Sequence, residues 1–253
     1  MANELKRRLA AGEVVLGPFI TLDCPDIVEI AGLAGFDFCI IDTEHGPGNP
    51  HSVQNMLRAA ALRGIAPIVR VTDTAPTTIL RTLDVGAAGI QVPQVNSRAA
   101  VEGVVSSAKY FPKGERGACL TRSSRYGFVT SVADYFAEAN EDTAVIVHCE
   151  NREGLDRLDE IASVDGVDVV FVGPYDLSQS YGIPGQIYHP VMVDAVARAL
   201  SSIQRAGKPA GIFVGSVDEA NKRIEQGFRY IAYNMDTLLF AELFRDIVKG
   251  VKR

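Results

Sequence analysis

Val169-Val-Phe-Val-Gly-Pro-Tyr-Asp-Leu-Ser178 joins a short apolar run to an acid, Asp176, that follows a Gly-Pro turn. An apolar run that ends in Gly and Pro is typical of a buried β-strand. Val145-Ile-Val-His-Cys-Glu150 has the same design, since Glu150 directly follows an apolar run. We therefore expect carboxylates at the ends of two buried strands, where they could face each other across a site.

Outward from these two stretches, short apolar runs alternate with helical patterns along the chain. The predicted strands are Val14–Ile20, Phe36–Asp42, Ala66–Val71, Gly89–Pro93, Ala144–Cys149, Val167–Val172, Ala210–Val214 and Tyr230–Asn234. Strands that are separated by helices form parallel sheets. Eight strand–helix units favour a (β/α)₈ TIM barrel over an open doubly wound sheet. No Gly-x-Gly-x-x-Gly follows the first strand, so a dinucleotide-binding fold has no support.

Composition narrows the class of protein. With 253 residues, 47% hydrophobic and 22% charged, the chain fits a single barrel domain over residues 1–253. A net charge of −6 without a dense Lys/Arg cluster argues against a nucleic-acid partner. The polar N-terminus lacks the apolar core of a signal peptide, and no apolar run approaches the length of a membrane-spanning helix. The 4 cysteines form no CxxC pair, which is in keeping with a reducing compartment. We therefore expect a cytoplasmic protein that does not bind membranes.

Catalysis in a TIM barrel takes place where the strands end, so Glu150 and Asp176 are candidate functional residues. Two carboxylates that converge would repel each other unless a cation lies between them. Oxygen ligands suit Mg²⁺ or Mn²⁺, with water or substrate completing the coordination. The alternative is that either acid, and Asp176 in particular, caps the following helix. The spacing alone leaves both interpretations open.

Further polar residues follow other strands. Arg70 ends an apolar run, where a guanidinium needs an anion: a salt bridge to Glu150 or Asp42 would satisfy it, but we favour recognition of a substrate carboxylate. His45 lies three residues after Asp42, which could orient its ring as a general base requires. His148 could contact substrate or act as a third metal ligand. No strand end carries a lysine, which disfavours Schiff-base chemistry.

Five segments in this order resemble the HpcH/HpaI aldolase family, which comprises metal-dependent class II pyruvate aldolases of the phosphoenolpyruvate/pyruvate barrel superfamily. They are Gly-Leu-Ala-Gly-Phe-Asp-Phe-Cys-Ile-Ile-Asp-Thr-Glu-His (32–45), Val-Arg-Val (69–71), Leu-Asp-Val-Gly-Ala (83–87), Gly-Glu-Arg-Gly (114–117) and Gly-Pro-Tyr-Asp-Leu-Ser (173–178). Together they extend over most of the chain.

The resemblance implies reversible cleavage of a 4-hydroxy-2-oxo acid into pyruvate and an aldehyde through a metal-stabilised pyruvate enolate. It implies a divalent ion, Mg²⁺ or else Mn²⁺ or Co²⁺, held by Glu150 and Asp176. Arg70 would steady the keto oxygen. The implied acid/base is His45, oriented by Asp42 and by Asp84 of a neighbouring subunit. The implied substrate contacts are Arg70, Phe19, His148, Gly173, Pro174 and Tyr175.

The resemblance also implies a homohexamer built from swapped dimers. The last helix of each chain, the amphipathic segment 238–251, would pack on a neighbouring barrel. One residue departs from the family pattern: His148 stands where the family usually has Gln. This keeps open a related reaction, oxaloacetate decarboxylation or the carbon–carbon coupling of macrophomate synthase. A barrel that only binds ligands is the least favoured alternative, because His45, Arg70, Glu150 and Asp176 are all present.

Overall fold

The computed structural model describes residues 2–252 and contains a closed barrel of eight parallel strands in sequential order. The expected TIM barrel is therefore confirmed. The strands are β1 (Val15–Ile20), β2 (Phe38–Asp42), β3 (Ala66–Arg70), β4 (Gly89–Val92), β5 (Ala144–Cys149), β6 (Val169–Val172), β7 (Ala210–Val214) and β8 (Tyr230–Met235).

One helix precedes β1, and the other helices follow the strands on the outside of the barrel. They are α1 (Ala2–Ala10), α2 (Pro25–Ala34), α3 (Pro50–Arg63), α4 (Pro76–Asp84), α5 (Arg98–Ala108), α6 (Val132–Asp142), α7 (Arg152–Asp156), α8 (Leu158–Ala162), α9 (Pro174–Ser180), α10 (Pro190–Arg205), α11 (Val217–Gln226) and α12 (Asp236–Gly250). A 3₁₀ segment covers Arg122–Gly127 between α5 and α6. Among residues 2–252, no helix is long and apolar enough to cross a membrane.

Helix α1 lies before the first expected strand, in a segment for which the sequence predicted no element. Its Leu5 and Leu9 are buried and pack with Phe38 and Ile68, which face the interior of the barrel. The helix has nine residues, so its apolar positions make too short a pattern to identify. It closes the amino-terminal end of the barrel and leaves the opposite end open.

Helix boundaries show how side chains compete for the first backbone N–H groups. Ser97 and Ser216 cap α5 and α11 through their hydroxyl oxygens, as expected of residues that precede helical patterns. At the start of α4, the carboxylate of Asp73 accepts from the Ala75 N–H at 2.8 Å. Ala75 therefore precedes the helix without a side-chain cap.

The barrel interior is filled with aromatic and branched side chains. Tyr230 stacks on Phe38 with ring centroids 4.1 Å apart, and Phe171 meets Tyr230 edge-on at 6.1 Å. All three rings are buried. This packing makes the lower half of the barrel solid, so the open carboxyl end of the strands is the place where a ligand can enter.

Candidate active site

A cavity of about 390 Å³ lies at the carboxyl ends of the strands. It is lined by Phe19, His45, Arg70, His148, Glu150, Phe171, Gly173, Pro174, Tyr175, Asp176, Phe213, Met235 and Leu238. Most of the side chains that the sequence singled out therefore meet in one place. Asp42 lies directly behind this surface, whereas Asp84 lies elsewhere.

Arg70 is held from several directions. It is the register partner of Asp42 on the neighbouring strand, and its Nε and Nη2 donate to the two Asp42 carboxylate oxygens at 2.9 and 2.7 Å. Its Nη1 lies 3.1 Å from Glu44 Oε2, and its guanidinium lies 4.8 Å from the centroid of the Phe19 ring. Burial by itself would lower the pKa of Arg70, but the Asp42 carboxylate raises it above its usual value. The guanidinium is thus a fixed positive charge at the cavity wall.

The structure corrects the expected partner of His45. Both carboxylate oxygens of Asp42 bind Arg70, and Asp42 Oδ1 also accepts from the His45 backbone N–H at 3.4 Å. The His45 ring instead points outward, 64% exposed, with its Nε2 3.9 Å from Glu44 Oε2. Asp42 therefore positions the backbone of this loop and the guanidinium, and the nearest acid to the imidazole is Glu44.

Glu44 was not singled out from the sequence, although it lies in the Asp42–His45 segment. Its carboxylate bridges the space between Arg70 and the His45 ring. Burial is the largest influence on Glu44 and raises its pKa, while the Arg70 guanidinium opposes that rise. A glutamate in a loop carries no periodic signal, so only its proximity to Arg70 identifies it.

Glu150 is almost fully buried at the end of β5, with 2% of its surface exposed. Its Oε1 accepts from the Gln94 N–H at 2.6 Å, and its Oε2 lies 2.6 Å from His148 Nδ1. Burial alone would raise the pKa of Glu150, but the His148 ring and the Gln94 N–H lower it overall. Gln94 reaches this position with a positive φ of 57°. The carboxylate is thus ionised and held by a donor at each oxygen.

Asp176 lies in the first turn of α9 and is exposed at the cavity mouth. Gly173, which contributes no side-chain cap, takes the N-cap position of this helix, so Asp176 does not cap it. A Cβ on Gly173 would lie 3.0 Å from both Cβ and Oε2 of Glu150. The absence of a side chain at Gly173 therefore lets the end of β6 approach the Glu150 carboxylate closely.

The donor set suits a hard divalent cation. Glu150 and Asp176 line the same cavity and offer only oxygen atoms. Among residues 2–252, no group of three or more His, Cys, Asp and Glu side chains is arranged to hold a metal. The chain would therefore supply two carboxylates, and water or substrate oxygens would complete the coordination, as is usual for Mg²⁺. The residues fit such an ion.

His148 lines the cavity and contacts two neighbouring side chains. Its Nδ1 contacts Glu150 Oε2, and its Nε2 lies 2.8 Å from Gln91 Nε2. Both ring nitrogens therefore contact protein atoms in this structure, and the expected role of His148 as a substrate contact or third metal ligand stays a prediction. Gln91 was missed, although a glutamine within the apolar run of β4 is unusual and could have drawn attention to it.

Asp84 lies at the end of α4, before β4 begins, and therefore at the amino-terminal end of the barrel. Its Oδ1 accepts from Arg116 Nη2 at 2.8 Å, and the Arg116 side chain is 2% exposed. Within one chain it is thus remote from the cavity at the other end. Its implied role toward a neighbouring subunit stays a prediction.

The rim of the cavity is apolar, and the sequence did not reveal most of it. Tyr175 meets Phe213 edge-on, with centroids 5.7 Å apart, and Phe19 lies 5.9 Å from the same Phe213 ring. Met235 at the end of β8 and Leu238 in α12 extend this surface. One side of the cavity is therefore charged and the other side is apolar.

Comparison with known proteins agrees with this geometry. The family model for HpcH/HpaI aldolase/citrate lyase matches residues 16–242. A hydroxypyruvate/pyruvate aldolase from Pseudomonas aeruginosa is 38% identical over 99% of this chain and 93% of the relative. A 2-keto-3-deoxy-L-rhamnonate aldolase from Escherichia coli K12 is 34% identical over 96% of this chain and 90% of the relative.

Solved structures show the same likeness. The crystal structure of an HpcH/HpaI aldolase/citrate lyase family protein from Burkholderia cenocepacia J2315 superposes with a TM-score of 0.94 at 33% identity. That match covers 99% of this chain and 100% of the other. The chain therefore belongs to the HpcH/HpaI aldolase/citrate lyase family.

Proposed function

We propose that this protein is a class II pyruvate aldolase that reversibly cleaves a 4-hydroxy-2-oxo acid into pyruvate and an aldehyde. The observation that carries the proposal is the cavity in which Arg70 lies with the carboxylates of Glu150 and Asp176. The aldolase names of the two relatives described above support the same reaction class.

We assign a divalent cation to Glu150 and Asp176, with Mg²⁺, Mn²⁺ and Co²⁺ as the candidates. When bound, the cation supplies positive charge at the carboxylate and keto oxygens of the pyruvate half. The chain prepares the position in advance, because Glu150 is ionised and each of its oxygens has a protein hydrogen-bond partner. Gly173 leaves room for that carboxylate at the end of β6.

Arg70 would bind the keto oxygen and stabilise the negative charge that develops there when the carbon–carbon bond breaks. A guanidinium that Asp42, Glu44 and Phe19 already hold in place does not reorganise during the reaction. Donors that are fixed in this way stabilise developing charge more effectively than mobile ones. The ion pair with Asp42 therefore orients the Arg70 guanidinium toward the substrate and does not remove it from the reaction.

His45 would accept the proton of the 4-hydroxyl group during cleavage and would return a proton to that oxygen during addition. Its ring is exposed at the cavity mouth, where a water molecule can connect it to substrate. Glu44 lies nearest to the imidazole, so it is the acid in this chain that can orient the ring. An imidazole ring can both accept and donate a proton, so it is suited to both directions of proton transfer.

The substrate would lie between the charged and apolar sides of the cavity. Its carboxylate would be held at the turn of Gly173 and Pro174 by the first-turn N–H groups of Tyr175 and Asp176, which have no intrahelical partner. The aldehyde half would face the apolar rim that includes Phe19, next to Tyr175 and Phe213.

We further propose that the barrel is a single domain and that the molecule is a homo-oligomer of the hexameric type. Helix α12 extends beyond β8, and its residues 241–250 are all exposed in the single chain. Leu243 and Phe244 are 54% and 61% exposed, and Ile247 and Val248 are 52% and 54% exposed. An apolar surface of this kind on a projecting helix supports packing against a neighbouring barrel.

The alternative of decarboxylation or macrophomate-type coupling depended on His148. Because both nitrogens of this ring bind protein atoms, the histidine presents no new donor to a substrate. No feature of the cavity then favours the alternative over aldol cleavage. A panel that compares oxaloacetate turnover with cleavage of 4-hydroxy-2-oxo acids would reveal the opposite preference if it exists.

The direct test measures pyruvate release from 4-hydroxy-2-oxo acids with a coupled lactate dehydrogenase assay, before and after chelation by EDTA. We expect chelation to abolish activity and added Mg²⁺ or Mn²⁺ to restore it. Glu150→Gln should reduce kcat by at least about 100-fold, because it removes a charged ligand. The matched control is Glu153→Gln, an exposed acid that pairs with Arg157 in the same region. Full activity after exhaustive chelation, or in Glu150→Gln, would refute the proposal.

A further inference from the structure

A chain of hydrogen bonds connects the floor of the barrel to Glu150. The Tyr230 hydroxyl lies 3.1 Å from Gln91 Oε1, Gln91 Nε2 lies 2.8 Å from His148 Nε2, and His148 Nδ1 lies 2.6 Å from Glu150 Oε2. These four residues are fully or almost fully buried. None of the first three has a role in the proposed reaction.

The chain crosses the interior of the barrel. Tyr230 begins β8, Gln91 lies on β4, and His148 lies on β5, so the path starts on the strand opposite β4 in the closed order. Apolar rings enclose it: Tyr230 stacks on Phe38 at 4.1 Å, and the His148 ring lies 4.9 Å from Phe171. In such surroundings an unsatisfied polar group is costly, which restricts the arrangement of the protons.

Chemistry sets the direction of every bond in the chain. A side-chain amide oxygen only accepts, so the Tyr230 hydroxyl donates to Gln91 Oε1. The amide nitrogen only donates, so His148 Nε2 accepts from Gln91. Because Nε2 accepts, the ring proton of His148 is on Nδ1, where it donates to the Glu150 carboxylate. The reverse orientation of Gln91 would leave the Tyr230 proton without its acceptor and place a proton on Nε2.

We propose that Tyr230 and Gln91 select the Nδ1–H tautomer of His148, and that His148 thereby holds the Glu150 carboxylate in one orientation for the divalent cation. Tyr230, Gln91 and His148 are positioning residues that act through Glu150. The inference rests on the proposed cation site at Glu150 and Asp176. It explains why histidine at position 148 is compatible with a metal site although neither ring nitrogen is free.

Tyr230→Phe tests the inference with the loss of one oxygen atom, while the ring that stacks on Phe38 remains. Without the hydroxyl, Gln91 can rotate and His148 loses its fixed tautomer. We expect the Kd for Mg²⁺ and for Mn²⁺, measured by calorimetry on the full chain, to rise about 10- to 100-fold, as is typical when an outer partner of a ligand is lost. Tyr233→Phe, on the same strand but outside the chain of hydrogen bonds, is the control and should leave Kd unchanged.

A second variant separates positioning from general packing. His148→Gln introduces an amide, which has no ring tautomer to select. In that background Tyr230→Phe should change the Kd for Mn²⁺ by no more than about 2-fold, because coupled residues lose their interaction once one partner is removed. An undiminished effect of Tyr230→Phe in the His148→Gln background would contradict the inference.

Neutron diffraction from the wild-type protein provides a readout that is independent of activity. We expect deuterium on His148 Nδ1 and on the Tyr230 oxygen, and none on His148 Nε2. Deuterium on Nε2, or an unchanged Mn²⁺ Kd in Tyr230→Phe, would overturn the chain of hydrogen bonds while leaving the cation site intact. Absence of any Mg²⁺ or Mn²⁺ binding to the wild type would instead overturn the proposed function itself.

Discussion

At the scale of single residues, Arg70 shows how an apparently structural contact supports a functional one. The sequence left open a salt bridge to Asp42 as the purely structural role of Arg70, and this salt bridge is present in the structure. The same guanidinium also lines the cavity and contacts Phe19 and Glu44. A buried ion pair by itself contributes little net stability, because desolvation offsets the attraction. Its value here lies in the fixed direction of the guanidinium.

Arg70→Lys should therefore reduce kcat by at least about 100-fold, because an ammonium cannot bridge both Asp42 oxygens and reach the cavity together. The coupled pyruvate assay measures this effect, and circular dichroism should show an unchanged fold. Arg63→Lys is the matched control, since Arg63 also donates through Nε and Nη2 to an acid, Glu29, but at the surface. A wild-type kcat in Arg70→Lys would show that the two-point contact between the guanidinium and Asp42 is not required.

At the scale of elements, β3, β5, β6 and β8 each bring to the cavity the residue that ends or directly follows the strand. Gly173 directly follows β6 and leaves space for Glu150, whereas Gly215 directly follows β7 and has no atom within 4 Å of its Cβ position. Neither glycine has a positive φ, so alanine is compatible with the backbone at both. The two positions therefore differ in steric surroundings alone.

Gly173→Ala should raise the Kd for Mn²⁺ about 10-fold, because a Cβ 3.0 Å from Glu150 Cβ and Oε2 displaces the carboxylate. Gly215→Ala should leave it unchanged. Isothermal titration calorimetry measures both values, and thermal unfolding verifies that the two variants fold. Equal affinities in the two variants would mean that Glu150 tolerates the displacement or does not bind the cation.

The strands also determine thiol chemistry. Burial raises the pKa of Cys39 on β2 and of Cys149 on β5 to about 12. At pH 8 both therefore remain protonated and unreactive, whereas Cys119 is exposed. Iodoacetamide at pH 8 should modify Cys119 in the native protein and all 4 cysteines after denaturation. Mass spectrometry that finds rapid native labelling of Cys39 or Cys149 would show that the barrel opens readily.

At the scale of the whole molecule, α12 is the element that a single barrel leaves incomplete. It begins at the cavity, where Asp236 accepts from the Thr21 and Leu22 N–H groups at 2.9 and 3.0 Å, and its far half is exposed. The helix is thus anchored at one end to the residues that follow β1, and its other end is exposed in the part of the chain that the structure describes. A second subunit would bury that half.

Phe244→Asp should dissociate the oligomer, since a charge would then lie on the exposed apolar surface that a neighbouring subunit would cover, beside Phe240, whose ring lies 5.9 Å from that of Phe244. Light scattering after gel filtration should show a shift toward the 27.2 kDa mass of one chain. Asp246→Asn, on the same helix, is the control and should keep the larger mass. A wild type that already elutes as a monomer would contradict the proposed assembly.

The amino-acid sequence by itself determined the eight-stranded barrel, because apolar runs and the turns that separate them are local signals. It also determined the family, because five short segments of the chain carry the resemblance. It also identified most residues of the cavity, since strand ends meet at one face of a barrel. The bounds of the strands differed by a few residues, as at β2, which begins at Phe38 rather than at Phe36.

Only the tertiary structure decided which polar groups pair. Asp42 binds Arg70 rather than the His45 ring because strand register places them side by side. His148 meets Gln91 from β4, and Tyr230 reaches the same glutamine from β8, only because the sheet closes into a barrel. Such partners lie far apart in the chain, and no local pattern records them. The way in which Glu150 is held is therefore a property of the closed barrel and not of any one segment.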